Sequence, residues 1–176
     1  MSRPSQIICY RVGQFLRALT ARVSAEEVEQ ATRLLTPEAR ALFCRQAVQD
    51  QRHALAVYRT LRQAGHTDPR LLAAALLHDA GKAAGRLPSF YRAAIVLMGR
   101  FAPAALARLS QDEPAFWSRP FILHARHPER GARWAQEAGC SPLTVALIRR
   151  HEEKTTHNQS EEDQFLAILQ AADSAN

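Results

Sequence analysis

A chain of 176 residues, 47% hydrophobic and 23% charged, holds enough apolar material for one packed core, and its composition excludes a disordered or low-complexity protein. The formal net charge of +6 favours anionic partners such as phosphorylated small molecules, whereas no basic-aromatic interleaving or recognition-helix pattern supports nucleic acid. Cys9, Cys44 and Cys140 are too widely spaced for a disulfide framework or a CxxC knuckle. The apolar run over residues 7–19 is broken by Arg11, Gln14 and Arg17, and is too short and too charged for a membrane span or a signal peptide. A cytoplasmic protein with no membrane partner is the expectation.

The elements predicted in chain order are all helical. Residues 6–22 read as an amphipathic first helix, and Ser24 followed by Glu27 reads as a capping box opening a second. Thr36-Pro37-Glu38 opens a third, with Thr as cap and Pro at the first helical position, and it ends or bends near Ala47. The segment 48–64 carries His53, Leu55, Tyr58 and Leu61 at helical spacing and stops at Gly65. Asp68-Pro69 starts the next helix, whose apolar run Leu71 to Leu77 ends in His78-Asp79 before Gly81. Further helices are expected over 88–101, 103–110, 120–138, 142–153 and 161–172. Strand signals are absent. The fold class expected is all-α, a single compact helical bundle.

The helix that ends in His78-Asp79 is apolar on nearly every face and belongs at the centre of that bundle. A carboxylate buried at the negative end of a helix dipole needs a cation nearby. A divalent metal bound by His78 and Asp79 answers that need; pairing of Asp79 with Lys82, while His78 bonds a carbonyl, answers it too. His53, on the flank of the preceding helix, and Asp173, a second acid near the carboxyl end of an apolar helix, add weight to a shared positive charge. His66 and His157 read as structural or solvent-facing, and Trp117 and Trp134 as packing residues.

The order His53, His78-Asp79, Asp173, with the segment Leu76-Leu77-His78-Asp79-Ala80-Gly81-Lys82, resembles the HD superfamily of metal-dependent phosphohydrolases over residues 49–176. The resemblance implies a bundle of the HD-domain type at 48–176; residues 1–47 fall outside it and are expected to form a helical extension packed on that core. It implies that His53, His78, Asp79 and Asp173 bind a divalent metal, with Asp79 and Lys82 catalytic. His127-Pro128-Glu129-Arg130-Gly131 and Arg150-His151-Glu152 resemble segments of the two-metal branch, so His127 and His151, or His124 in place of His127, would hold a second metal or the substrate phosphate. Arg150 stands where that branch has a histidine, and no Gly-Tyr-Pro follows Glu152. Arg130 and Arg150 are candidates for phosphate contact, since guanidinium forks suit phosphate oxygens.

The function implied is hydrolysis of a nucleotide or other small phosphoester by metal-activated water. One or two ions of Mn, Fe, Co, Ni, Zn or Mg would suit the imidazole and carboxylate ligands. Two alternatives stand beside it. One is a di-iron oxygenase of the same superfamily. The other is a non-catalytic regulator that binds a nucleotide or a protein.

Overall fold

The computed structural model describes residues 23–85, 89–110, 119–153 and 160–176. The helix expected over 6–22, Cys9, Trp117, His157 and the start of the helix placed at residue 88 lie outside them. Among the described residues the chain forms nine α-helices and no strand, so the all-α expectation holds. The helices are α1 (Ala25–Thr32), α2 (Pro37–Cys44), α3 (Val48–Gln63), α4 (Pro69–Leu77), α5 (Ser89–Phe101), α6 (Pro103–Leu109), α7 (Arg119–Glu137), α8 (Pro142–Arg150) and α9 (Glu161–Ser174). A short 3₁₀ turn, Ala80–Ala84, follows α4. No helix among the described residues is long and apolar enough to cross a membrane.

The helix ends follow local chemistry. Pro37, Pro69, Pro103 and Pro142 each sit in the first turn of a helix, where the missing N–H removes a donor that would have had no partner. Thr36, Asp68, Ser141 and Ser160 accept a backbone N–H as caps. Thr36 also donates to the Ala138 carbonyl at 2.8 Å, which ties the start of α2 to the end of α7. Gly65 and Gly139 adopt φ +87° and +77°, and the next N–H in each case reaches back five residues, His66 to Leu61 and Cys140 to Ala135. That wrap closes α3 and α7, and it is why each stops at a glycine. One expected cap is absent: Ser24 flanks α1 but makes no side-chain cap bond, and Glu27 accepts from Arg59 of α3 at 2.8 Å.

Helix α4 occupies the centre of the bundle, with every residue from Leu71 to Leu77 buried. Around it lie α3, α8, α9 and α2. Ala54, Leu55, Val57 and Leu61 of α3, Leu147 and Ile148 of α8, and Leu166 and Leu169 of α9 close a continuous apolar core that also takes in Ala31, Ala39, Leu42 and Phe43 from α1 and α2. Burial of each such leucine contributes roughly 2 kcal/mol. Helix α7 packs across α8 and the 3₁₀ turn. The carboxyl ends of α4 and α8 therefore meet the middle of α7, and α3 and α9 flank the junction.

Candidate metal centre

Six side chains from five segments converge at that junction. His78 is the residue after α4, and Asp79 opens the 3₁₀ turn, so Asp79 lies just past the helix rather than inside its last turn as the sequence suggests. His127 comes from α7, His151 follows α8, His53 stands on α3, and Asp173 lies in the last turn of α9. His78, Asp79, His127 and His151 are buried. His53 and Asp173 form a half-exposed rim with side-chain exposures of 29% and 34%.

Three of the histidines are oriented by the same device. Nδ1 of His78 bonds the Ala75 carbonyl at 3.0 Å, Nδ1 of His151 bonds the Ile148 carbonyl at 2.7 Å, and Nδ1 of His127 makes a short bond to the His124 carbonyl. The first two acceptors lie in the last turns of α4 and α8, where carbonyls lose their intrahelical donors. The third is released inside a helix: Pro128 has no N–H to give the carbonyl four residues back, which is that of His124. A proline directly after a histidine within a helix thus frees the acceptor that the histidine ring needs, a signal present in the sequence and missed there.

Because a carbonyl only accepts, each Nδ1 carries a proton, and in a neutral ring the Nε2 then presents a lone pair. Those lone pairs converge. His127 Nε2 lies 3.3 Å from His151 Nε2 and 3.3 Å from Asp79 Oδ1, and His151 Nε2 is 3.8 Å from the same oxygen. On the other side, His78 Nε2 is 3.7 Å from Asp79 Oδ2 and 3.6 Å from Asp173 Oδ1, and His53 Nε2 is 2.7 Å from Asp173 Oδ1. The buried Nε2 of His78 has no hydrogen-bond partner, a costly state for a polar atom away from water.

Burial disfavours the charged form of two of these rings. Burial pushes His151 down to about 3 and lowers His78 below the ordinary imidazole value. Burial by itself would raise Asp79, but the Lys82 ammonium leads the charges that outweigh it and hold this carboxyl well below the usual range. His53 is the exception: burial opposes its charged form, but the bond to Asp173 raises it above the ordinary value.

Both halves of the alternative to a metal are formed as well. Lys82 Nζ pairs with Asp79 Oδ2 at 2.6 Å, and His78 does bond a carbonyl. These contacts leave the set incomplete, since the pair of facing lone pairs at 3.3 Å and the partnerless His78 Nε2 remain. A cation resolves all of them at once. Donors held about 2.0–2.2 Å from a divalent ion stand roughly 3.0–3.6 Å apart, and the separations above scatter around that range. Within each of the groups His53–His78–Asp173, Asp79–His127–His151 and His124–His127–Glu152, the donor atoms lie within 4.8 Å of one another. The residues therefore fit a divalent metal, and Asp79 offers one oxygen to each side.

His127, fully buried, is the ring beside Asp79, while His124 stacks on it from outside at 5.4 Å between centroids. Burial pushes His124 down to about 4. Glu152, the residue after His151, has its carboxylate 3.7 Å from His127 Nε2. Arg130 is half-buried on α7, one turn beyond His127.

The expectation that Arg150 meets a phosphate is corrected by its partners. Its guanidinium bonds Glu153 at 3.0 Å, Asp163 at 3.0 Å and Glu162 at shorter range, so each of its three nitrogens already faces a carboxylate. The network instead ties the end of α8 to the start of α9. Arg150→Ala is expected to lower stability by about 1–2 kcal/mol in urea titrations, with the loss shrinking at high salt, while metal content stays unchanged.

Searches by sequence and by structure returned no matching family model, no matching curated protein and no matching solved structure.

Proposed function

We propose that this chain is a metal-dependent hydrolase of the HD-superfamily type. Within that class, the reading that suits it best is a phosphohydrolase acting on a nucleotide or another small phosphoester. The observation that carries the proposal is the convergence of the Nε2 atoms of His78, His127 and His151 on the two oxygens of Asp79, each ring with its Nδ1 already committed to a carbonyl. A divalent cation would accept those lone pairs together.

His53, His78, Asp79 and Asp173 would hold one divalent ion, and Asp79, His127 and His151 a second. When bound, such ions lower the pKa of a coordinated water towards neutrality and polarise phosphoryl oxygens. The residues of the chain supply the rest. Asp79 neutralises the buried positive charge and keeps the three rings in register. Lys82, with its side chain 21% exposed, places an ammonium beside Asp79 where it can meet phosphoryl oxygens as charge builds on them. Arg130 adds a second positive charge one turn from His127. The net charge of +6 draws an anionic substrate towards the protein as a whole.

The test is elemental analysis of the purified full chain followed by hydrolysis of a nucleotide and phosphoester panel with Mn, Fe, Co, Ni, Zn and Mg in turn. Bound transition metal together with metal-dependent release of phosphate or of a nucleoside monophosphate is expected. Oxygen uptake with bound iron and no hydrolysis would point to an oxygenase, and a metal-free protein that binds nucleotide would point to a regulator. Either result would retire the hydrolase reading.

A further inference from the structure

His127 belongs to two of the three donor groups, one with Asp79 and His151 and one with His124 and Glu152, and its Nε2 is the atom that faces Asp79, His151 and Glu152 alike. A single lone pair can bind only one ion. The two groups therefore describe one metal position with a wider donor set than the inner trio alone.

Glu152 is placed to belong to that set. Its Oε1 is 3.7 Å from His127 Nε2, the same separation as between His78 Nε2 and Asp79 Oδ2. Its backbone is also fixed. The Gln170 side-chain amide donates to the carbonyl of His151 at 3.0 Å and to that of Glu153 at 2.7 Å, so the peptide carrying Glu152 is held on both sides by one side chain of α9. The preceding residue is anchored through its Nδ1 bond to Ile148. Glu153 next to it goes to Arg150, whereas among the described residues the ionisable nitrogen within ion-pair distance of Glu152 is that of His127.

Charge balance argues the same way. Two divalent ions would face the carboxylates Asp79 and Asp173, while the buried Asp50 acts on the Lys82 ammonium, which still leaves an excess of positive charge in a mostly buried site. A third carboxylate reduces it.

We propose that Glu152 is a ligand of the second metal position, completing the donor set of Asp79, His127 and His151. The inference rests on the metal-dependent reading above and adds to it a residue which that reading leaves outside the site. With two carboxylates and two imidazoles, the position suits Mn(II) or Fe(II) better than a soft, sulfur-seeking ion.

The experiment is Mn(II) titration of the metal-depleted full chain by calorimetry, with elemental analysis of the loaded protein, for the wild type and for Glu152→Gln, Glu152→Ala and Glu153→Gln. Two ions per chain are expected in the wild type and in Glu153→Gln. Both Glu152 variants should keep one tightly held ion and bind the other at least 100-fold more weakly, with the thermal midpoint of the metal-free Glu152→Gln protein unchanged. Weakening of less than 100-fold, or a wild type with a single ion indifferent to residue 152, would overturn the assignment while leaving a metal hydrolase standing. A wild type that takes up no Mn(II) or any other divalent ion would remove the hydrolase reading and this ligand with it.

Discussion

Replacing Asp79 with Asn is expected to abolish metal content and hydrolysis together while leaving a folded protein. The carboxylate is shared by both halves of the site: Oδ2 faces His78 at 3.7 Å and Lys82 at 2.6 Å, and Oδ1 faces His127 at 3.3 Å and His151 at 3.8 Å. Asn keeps the shape but removes the negative charge, and its amide can donate to a ring Nε2 and so occupy the lone pair an ion would use. Asp79→Ala removes the group altogether. It strands the Lys82 ammonium, four-fifths covered, and a partner lost from such a pair costs about 3 kcal/mol. Elemental analysis, phosphoesterase rates and thermal melts separate the two effects: both variants should fail in function, and the Asn variant, whose oxygen still accepts from Lys82, should lose less in the melt than the Ala variant. An Asn variant that is loaded with metal and active would take Asp79 out of the centre of the site.

Gly81→Ala is expected to be the most destabilising glycine-to-alanine change among the described residues. A Cβ at this position would lie 2.0 Å from the His127 carbonyl oxygen and 2.8 Å from the Gly131 nitrogen. Both obstacles are backbone atoms of α7, so no side-chain rotation relieves them. The 3₁₀ turn and α7 would have to separate by more than about 1 Å, and forced overpacking of this kind costs about 3 kcal/mol or more. The same displacement would carry His127 away from Asp79. Gly131→Ala meets its nearest obstacle, the Gly81 nitrogen, at 3.1 Å, and should be milder. Urea unfolding of the metal-depleted proteins measures the first effect and Mn(II) affinity the second. Wild-type stability in Gly81→Ala would mean that the two backbones do not cross as closely as described.

The helices were legible because their signals are local. A Thr-Pro-Glu, an Asp-Pro or a Ser-Pro sets a cap and a first turn within four residues, and the positive φ of Gly65 and Gly139 is written in the residue itself. The candidate site was legible as a set of residue types in order, His53, His78-Asp79, His127, His151 and Asp173, and the structure brings these six side chains to one junction. What sequence reasoning could not reach depends on partners far along the chain. Arg150 looked free because its carboxylates, Glu162 and Asp163, lie on the next helix. Ser24 and Glu27 spell a capping box, but Arg59, thirty-two residues on, takes the glutamate. Gly81 read as the ordinary companion of a His-Asp doublet, and the reason for it, a backbone crossing with Gly131, exists only once α7 is laid over the turn. Glu152 was hidden likewise, since its distance from His127 is set by the angle between α7 and α8.

The Nδ1 anchors carry one more consequence. Each of the three deep rings takes its direction from the main chain of its own helix, so the donors are aimed as soon as those helices have formed. An ion bound there would meet three rings already aimed, so the entropy of ordering those rings would be lost when the bundle folds rather than on binding. Occupancy and architecture are in that sense separable here, unlike in small domains whose fold exists only around their metal.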